Sequence, residues 1–162
     1  MKDKSIQLVK EKVRQLERSL IRELLNQTEC CGLTIPQRHV LLEVGRRKEI
    51  TLVDLADALG LDTSTLSRTV NSVVISGLVS RILNPKDRRY ILISLTGRGK
   101  TLFETLERAS DDFYRRVFRS LPEKKERQVV ESLVLLVDEL GRFREARSCR
   151  ECKTERTKGA HR

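Results

Sequence analysis

The chain has 162 residues, 38% of them hydrophobic, so it can bury one modest core and we expect a single domain. Its net charge of +10 favours a polyanionic partner such as nucleic acid. No apolar run approaches the ~18 residues that a membrane-spanning helix requires, and residues 1–8 lack the apolar core of a signal peptide. We therefore expect a cytoplasmic protein with no membrane partner.

The N-terminal segment predicts a long helix that packs against another helix. Its apolar residues alternate steps of three and four, which is the spacing of a coiled-coil seam. They are Ile6, Val9, Val13, Leu16 and Leu20. Two adjacent cysteines, Cys30 and Cys31, follow this predicted helix directly.

Residues 51–72 predict two short helices joined by a tight turn. The first begins near Thr51 and ends at Gly60, since glycine readily adopts the left-handed conformation that stops a helix. Asp62 can cap the second helix by accepting a hydrogen bond from a backbone N–H of its first turn. Two helices joined in this way form a helix-turn-helix.

The second of these helices has an apolar face and a polar face. Leu66, Val70 and Val73 share the face that would pack against a core, and the opposite face carries no acidic residue. Arginine can bind guanine and asparagine can bind adenine, while serine and threonine hydroxyls serve bases or phosphates. The alternative is a polar face that is merely solvated. The candidate DNA contacts are Thr63, Ser64, Thr65, Ser67, Arg68 and Asn71.

A β-hairpin with a basic tip is predicted to follow. Two apolar, β-branched runs, residues 78–83 and 90–95, enclose a loop that contains proline. Three cations in the loop would contact phosphates or enter a minor groove, and one aspartate would hold a cation in place. The alternative is a solvated charged turn, but the position directly after a helix-turn-helix favours DNA contact. The four tip residues are Lys86, Asp87, Arg88 and Arg89.

The C-terminal half predicts two further helices with apolar stripes. The hairpin unit needs only a small part of this apolar surface, so we expect two copies of the chain to pair through their terminal helices. The alternative is packing within one chain. Ser120 and Glu123 can cap the start of the last helix. The two stripes are Leu102, Leu106, Ala109, Phe113 and Val117, and then Val129, Leu133, Leu136, Leu140 and Phe143.

Nearly the whole chain resembles the MarR family of winged-helix regulators. The similarity rests on four motifs that are specific in combination. Residues 33–37 open a helix before the helix-turn-helix, and residues 75–79 end the recognition-helix run. Asp87-Arg88-Arg89 lies in the wing, and Leu95-Thr96 with Gly99 opens the next helix. Asn84 departs from the pattern, because members of the family often have an aspartate there, so the inner end of the wing has a different anchor.

The resemblance implies roles for particular residues. It makes residues 62–72 the major-groove helix, Asp87 and Arg89 the paired aspartate and arginine of the wing, and Arg88 a further groove or phosphate contact. It also implies a dimer with intertwined terminal helices. Two-fold symmetry then predicts a pseudo-palindromic operator whose half-sites lie one DNA turn, ~10 bp, apart.

The expected fold is therefore mostly α with a small β-wing. A winged helix-turn-helix DNA-binding lobe spans residues 33–96, and N- and C-terminal dimerisation helices span residues 1–29 and 97–147. Together these form a single MarR-type domain over residues 1–147. The remaining residues, 148–162, are expected to form a basic, cysteine-containing tail that is partly disordered.

Four cysteines are the unusual chemistry of the chain. Cys30 and Cys31 follow the first predicted helix, and Cys149 and Cys152 follow the last. Soft thiolates select zinc, copper(I) and iron–sulphur clusters, although adjacent cysteines suit zinc less well than a CxxC pair. Reversible disulfide formation is a second interpretation, because nearby cations favour the reactive thiolate. In a third, the first pair are small buried hydrophobes and the second pair is inert.

We do not expect an enzyme. The reactive dithiol of an oxidoreductase lies at a helix start beside a βαβ pattern, whereas Cys149 and Cys152 follow a long helix. His39 lies in a predicted helix with apolar neighbours and is expected to be packed or hydrogen-bonded, and His161 lies near the C-terminus. The sequence shows no phosphate-binding glycine loop and no acid–base pair.

The expected function is that of a homodimeric, sequence-specific DNA-binding transcriptional regulator, and a repressor in particular. Its DNA affinity would be switched through the four-cysteine site, acting as a metal, iron–sulphur or redox centre. One alternative is a MarR-type regulator that is switched by a small aromatic ligand and has structural cysteines. An alternative of another class is a nucleoid-type architectural protein that binds DNA without sequence preference.

Overall fold

The computed structural model describes the backbone of residues 3–29, 31–84 and 90–158, and the side chains of these ranges as far as residue 143. The chain divides into two compact units, Met1–Asp112 and Phe113–Arg162. Its elements are mostly helical with a small antiparallel sheet, as predicted. In chain order they are α1 (Asp3–Glu29), α2 (Ile35–Arg47), β1 (Glu49–Thr51), α3 (Leu52–Leu59), α4 (Thr63–Ile75), β2 (Val79–Leu83), β3 (Ile91–Leu95), α5 (Gly97–Arg119) and α6 (Glu123–Lys158).

The first turn of α2 is held by a reciprocal cap. The Thr34 hydroxyl accepts a hydrogen bond from the Gln37 N–H at 3.4 Å, and the Gln37 carboxamide oxygen accepts one from the Thr34 N–H at 2.8 Å. Pro36 lies in this first turn, where a helix needs no N–H donor. The predicted start of a helix within residues 33–37 is confirmed.

The predicted helix-turn-helix is confirmed in α3 and α4. The Thr51 hydroxyl accepts from the Asp54 N–H at 3.1 Å at the start of α3. Gly60 ends this helix in the left-handed conformation, with φ of 65°, which a side chain would disfavour. An Asp62 carboxylate oxygen then accepts from the Thr65 N–H at 2.8 Å and caps α4.

The sheet has three antiparallel strands in the order β1-β3-β2. The hairpin of β2 and β3 was predicted, and its register pairs Val79 with Leu95 and Leu83 with Ile91. The strand β1 was not predicted from the sequence. It has three residues, between the end of α2 and the cap of α3, and its pairing with β3 is a long-range contact that no local pattern indicates.

The core of the first unit lies between α2, α3, α4 and the sheet. The predicted packing face of α4 is confirmed, since Leu66, Val70 and Val73 are fully buried. One predicted stripe residue of α5, Leu106, also reaches this core. The other side chains of the core that are least exposed are Val40, Leu41, Val44, Leu55 and Ile93.

The second unit contains the end of α5 and all of α6. Ser120 does not cap α6 as predicted, because α6 begins three residues later, at Glu123; the Ser120 hydroxyl lies at the end of α5, where it donates to the Val117 carbonyl at 2.6 Å. The last helix continues to Lys158, past the expected start of the tail at residue 148. Neither proline nor glycine occurs between residues 142 and 158, so no local signal stops the helix there.

Candidate nucleic-acid interface

The polar face of α4 is open to solvent along its length. Thr63, Ser64, Thr65, Arg68 and Asn71 are all exposed, and the opposite face is buried. The core thus fixes the rotation of the helix, and the five side chains project away from the protein. A helix with its side chains is about 10–12 Å across, which fits the ~12 Å width of a DNA major groove.

The N-terminus of α4 restricts what Ser64 can do. Hydrogen bonds from the Ser64 hydroxyl, at 2.6 Å, and from Thr65 hold the pKa of Asp62 well below its ordinary value. Asp62 is therefore ionised at neutral pH, and its carboxylate accepts the hydrogen bond that the Ser64 hydroxyl donates. Ser64 can accept a hydrogen bond from a base, but it must leave Asp62 before it can donate to a phosphate.

Arg68 is the exposed cation of the recognition face. Within the described part of the chain it has no carboxylate within 4 Å, so its guanidinium is available to an external acceptor. A guanidinium of this kind can donate two parallel hydrogen bonds to the O6 and N7 atoms of guanine.

Ser67 faces a groove beside α4 and not the open face. The groove has a volume of about 330 Å³ and lies between the start of α3, the recognition helix and the stem of the wing. Arg81 of β2 and Tyr90 line the same groove. Sequence reasoning missed both residues. The available signal was one cation in a mostly apolar strand, at the position that pairs with the buried Ile93.

The recognition helix is tied to α2 by one polar contact. The Gln37 amide donates to the Ser72 hydroxyl at 2.7 Å, and both side chains are half-buried. Ser72 thus lies at the back of α4, although it belongs to the segment that the resemblance assigns to the major groove. Gln37 links the cap of α2 to the orientation of the recognition helix.

The wing tip lies outside the described residues, so the roles of Lys86, Asp87, Arg88 and Arg89 stay predictions. The described stem of the wing ends at Asn84, whose N–H donates to the Tyr90 carbonyl at 2.9 Å. This hydrogen bond closes the base of the loop and brings its two ends together.

The cysteines are only partly described. Cys31 is half-buried and packs against the core, whereas Cys30 and the side chains of Cys149 and Cys152 lie outside the described residues. Among the side chains that are described, no group of three or more histidine, cysteine or acidic residues could hold a metal ion. The four-cysteine site therefore stays a prediction.

His39 lies on the exposed side of α2 and not in the packed environment that was expected. Partial desolvation, together with the Arg38 cation next to it, lowers the pKa of the His39 imidazole.

Among the described residues, no helix is long and apolar enough to cross a bilayer.

The chain is similar to known transcriptional regulators. The model of the MarR family matches residues 32–89, which begin just before α2 and end before β3. The regulator BilQ of Clostridium symbiosum is 25% identical over 118 residues, which are 73% of this chain and 79% of that protein. The multiple antibiotic resistance protein MarR of Escherichia coli is 33% identical over 92 residues, 57% of this chain and 62% of that one.

The fold is also similar to that of a solved structure. A crystal structure of a mutant E. coli MarR complexed with operator DNA has a TM-score of 0.68 and 25% identity to this chain. The similarity covers 82% of this chain and 95% of that one. The chain is thus similar in sequence and in fold to the winged-helix transcriptional regulators of the MarR family, which are DNA-binding proteins and not enzymes.

Proposed function

We propose that the chain acts as a homodimer that binds a pseudo-palindromic operator and represses transcription by occluding the polymerase. Each recognition helix would enter a major groove, with Arg68 and Asn71 facing base edges. The E. coli relative that was crystallised with operator DNA supports this mode of binding. Two lobes related by a two-fold axis would contact half-sites about 10 bp apart.

The observation that supports a dimer is the exposed apolar surface of the terminal helices. Nine apolar side chains of α6, between residues 129 and 143, are 40–66% exposed. In α1, six more are 42–55% exposed, including Val9, Val13 and Leu16 of the predicted seam. Exposed apolar surface of this extent marks a protein interface, because leaving it in water is costly. A second copy of the same helices is the partner that the seam spacing favours.

Sedimentation equilibrium, alone and with a short operator duplex, tests the proposal. The expected species are a dimer of the free protein and a complex of two chains with one duplex. A monomer that binds one chain per half-site with no preference for a paired site would overturn it.

We further propose that the cysteines carry the regulatory switch. Cys31 lies in the turn between α1 and α2, where its N–H donates to the Thr28 carbonyl at 3.1 Å. This turn joins a predicted dimerisation helix to the DNA-binding lobe, and the half-buried side chain contacts the lobe core. A chemical change at this position would therefore move the two parts relative to each other. A thiophilic metal or an iron–sulphur cluster would supply strong thiolate bonds at such a site.

Two kinds of measurement test the switch. The first is metal analysis with a visible spectrum on protein purified without oxygen. The second is operator binding before and after mild oxidation. In the native protein we expect either bound metal or operator binding that is sensitive to oxidants. We expect neither in the double variant that carries both Cys30→Ser and Cys149→Ser. The proposal is wrong if the variant keeps both its metal content and its full DNA response. Release of the operator by aromatic compounds, but not by metals or oxidants, would assign the switch to a small ligand.

A further inference from the structure

A buried arginine joins three helices where the DNA-binding lobe meets α1 and α5. Arg38 of α2 is 5% exposed, and its Nη2 donates to Gln27 Oε1 of α1 and to Ser110 Oγ of α5, both at 2.9 Å. The Ser110 hydroxyl also contacts Gln27 Oε1 at 3.4 Å. Gln27 is itself 8% exposed, and its amide donates to Glu23 one turn earlier.

Stability alone does not account for an arginine at this position. Burial of a guanidinium removes it from water, and an apolar side chain of similar volume often leaves a protein as stable or more stable. What a buried polar network supplies is one geometry, because its donors and acceptors meet in a single arrangement of the helices. Apolar contacts between the same helices tolerate small rotations and shifts more readily.

The geometry that Arg38 fixes reaches the recognition helix. The helix that carries it, α2, packs on α4 through the fully buried core, and the adjacent Gln37 donates to Ser72 of α4. On the other side of Arg38 lie α1, with its exposed apolar face, and α5. In a dimer that pairs through its terminal helices, the angle between α2 and these two helices would set the place of each recognition helix relative to the dimer axis.

We propose that Arg38 is a positioning residue that selects the spacing between the two half-sites of the operator. The proposal rests on the homodimer described above. Arg38 touches no DNA in this account; it acts through the orientation of α2. Its loss should therefore change which spacing is preferred, and not the affinity of one lobe for one half-site.

The test uses the operator that the native protein selects from a random duplex pool, with three versions of its spacer: native, one base pair longer and one shorter. Each version is bound by the native protein, by Arg38→Met and by Arg46→Met. Arg46 is a matched control, since it lies on α2 and also reaches α5, through Glu107 at 3.4 Å, but its side chain is 60% exposed. An exposed ion pair of this kind contributes little.

We expect Arg38→Met to reduce the preference for the native spacer by about 2- to 30-fold, which is the usual range for residues that couple two sites. The same variant should bind an isolated half-site as the native protein does, and Arg46→Met should keep the native preference. An unchanged preference in Arg38→Met would overturn the proposal. The proposal would also be overturned if Arg38→Met lost as much affinity for an isolated half-site as for the full operator, because Arg38 would then only stabilise the lobe.

Two further measurements keep the test decisive. If Arg38→Met does not fold, Ser110→Ala removes the hydrogen bonds that the Ser110 hydroxyl makes with Arg38 and Gln27, and Ser110→Thr restores a hydroxyl, so loss of the spacer preference in the first and recovery in the second are expected. Equal preferences in these two variants would contradict the role of the network. A native protein that is monomeric and shows no spacer preference would instead contradict the homodimer itself.

Discussion

Asp62 serves two purposes at the start of α4, where the fold and the DNA-facing surface meet. Its carboxylate caps the helix through Thr65 and holds the Ser64 hydroxyl at 2.6 Å. The negative charge at a helix N-terminus is favourable, because the first N–H groups carry partial positive charge. The same negative charge lies on the surface that is expected to approach DNA, where it would repel a nearby phosphate.

The cap of α4 should show a distinct pH dependence. The Asp62→Asn variant keeps an oxygen acceptor for the Thr65 N–H but loses the charge, so we expect it to be less stable than the native protein at pH 7. Because the native fold lowers the pKa of Asp62 from 3.8, its contribution is complete well above that value and is lost as the pH falls. Urea unfolding of both proteins between pH 7 and pH 3 should show the difference shrink below about pH 4. A difference that does not vary with pH would mean that ionisation plays no part.

Arg68 should contribute sequence specificity as well as affinity. It is exposed and lies on the same face as Asn71. Replacement by alanine should cost ~1–3 kcal/mol of operator binding and relax the preference at one base pair of each half-site. Competition binding against operators with single base changes measures both effects. Arg119→Ala, at an exposed position of α5, is the control for net charge. A uniform loss across all sequences would make Arg68 a phosphate contact.

Local chemistry explains which residues were predictable from the sequence. Gly60, Asp62 and the buried face of α4 were identified because caps and helical spacing are short-range features. Arg81 and Tyr90 were missed, since their shared groove exists only after the strands pair and α4 packs beside them. Arg38 was missed for a related reason: arginine is usually exposed, and only three converging helices make its burial favourable.

The junction of the wing and α5 depends on one close backbone approach. A Cβ built on Gly99 would lie 1.9 Å from the Leu78 carbonyl oxygen, the same oxygen that accepts a hydrogen bond from the Thr96 N–H at 3.1 Å. The start of α5 is therefore pressed against the start of β2. This contact explains the glycine of the motif that opens the helix.

Replacement of Gly99 by alanine should destabilise the lobe by about 1–3 kcal/mol, because either the helix or the strand must move. Gly97→Ala is the matched control, since a Cβ there meets nothing within 4 Å and alanine favours a helix. Urea unfolding of the two variants gives the comparison. Equal stability would show that the contact relaxes without cost.

The helices and strands that were predicted from the sequence are those with a strong local sequence pattern. The two short helices and the hairpin of β2 and β3 have strong caps and β-branched runs, and both were predicted. The three residues of β1 have no such pattern and gain their structure from pairing with β3. Ser120 followed a capping pattern, but α6 begins three residues later, and the Ser120 hydroxyl donates to the Val117 carbonyl at the end of α5.

At the scale of the whole molecule, the apolar surface of α6 should control assembly. Leu136 is 48% exposed and lies in the middle of the predicted stripe. Leu136→Glu should dissociate the dimer, since a carboxylate would be buried without a partner. Sedimentation velocity measures the shift, and circular dichroism should show that the helices of the lobe persist. Lys124→Glu changes the charge at an exposed position at the start of α6, before the nine apolar side chains, and should leave the dimer intact. A dimeric Leu136→Glu protein would place the interface elsewhere.

The most direct measurement of the central claim is selection of bound duplexes from a random pool by the native protein, followed by sequencing. The account predicts an enriched pseudo-palindrome whose half-sites have centres about 10 bp apart, with one base pair of each half-site lost from the motif when Arg68 is replaced by alanine. An enriched pool without a shared motif would contradict the account, because it would make the chain a DNA-binding protein without an operator.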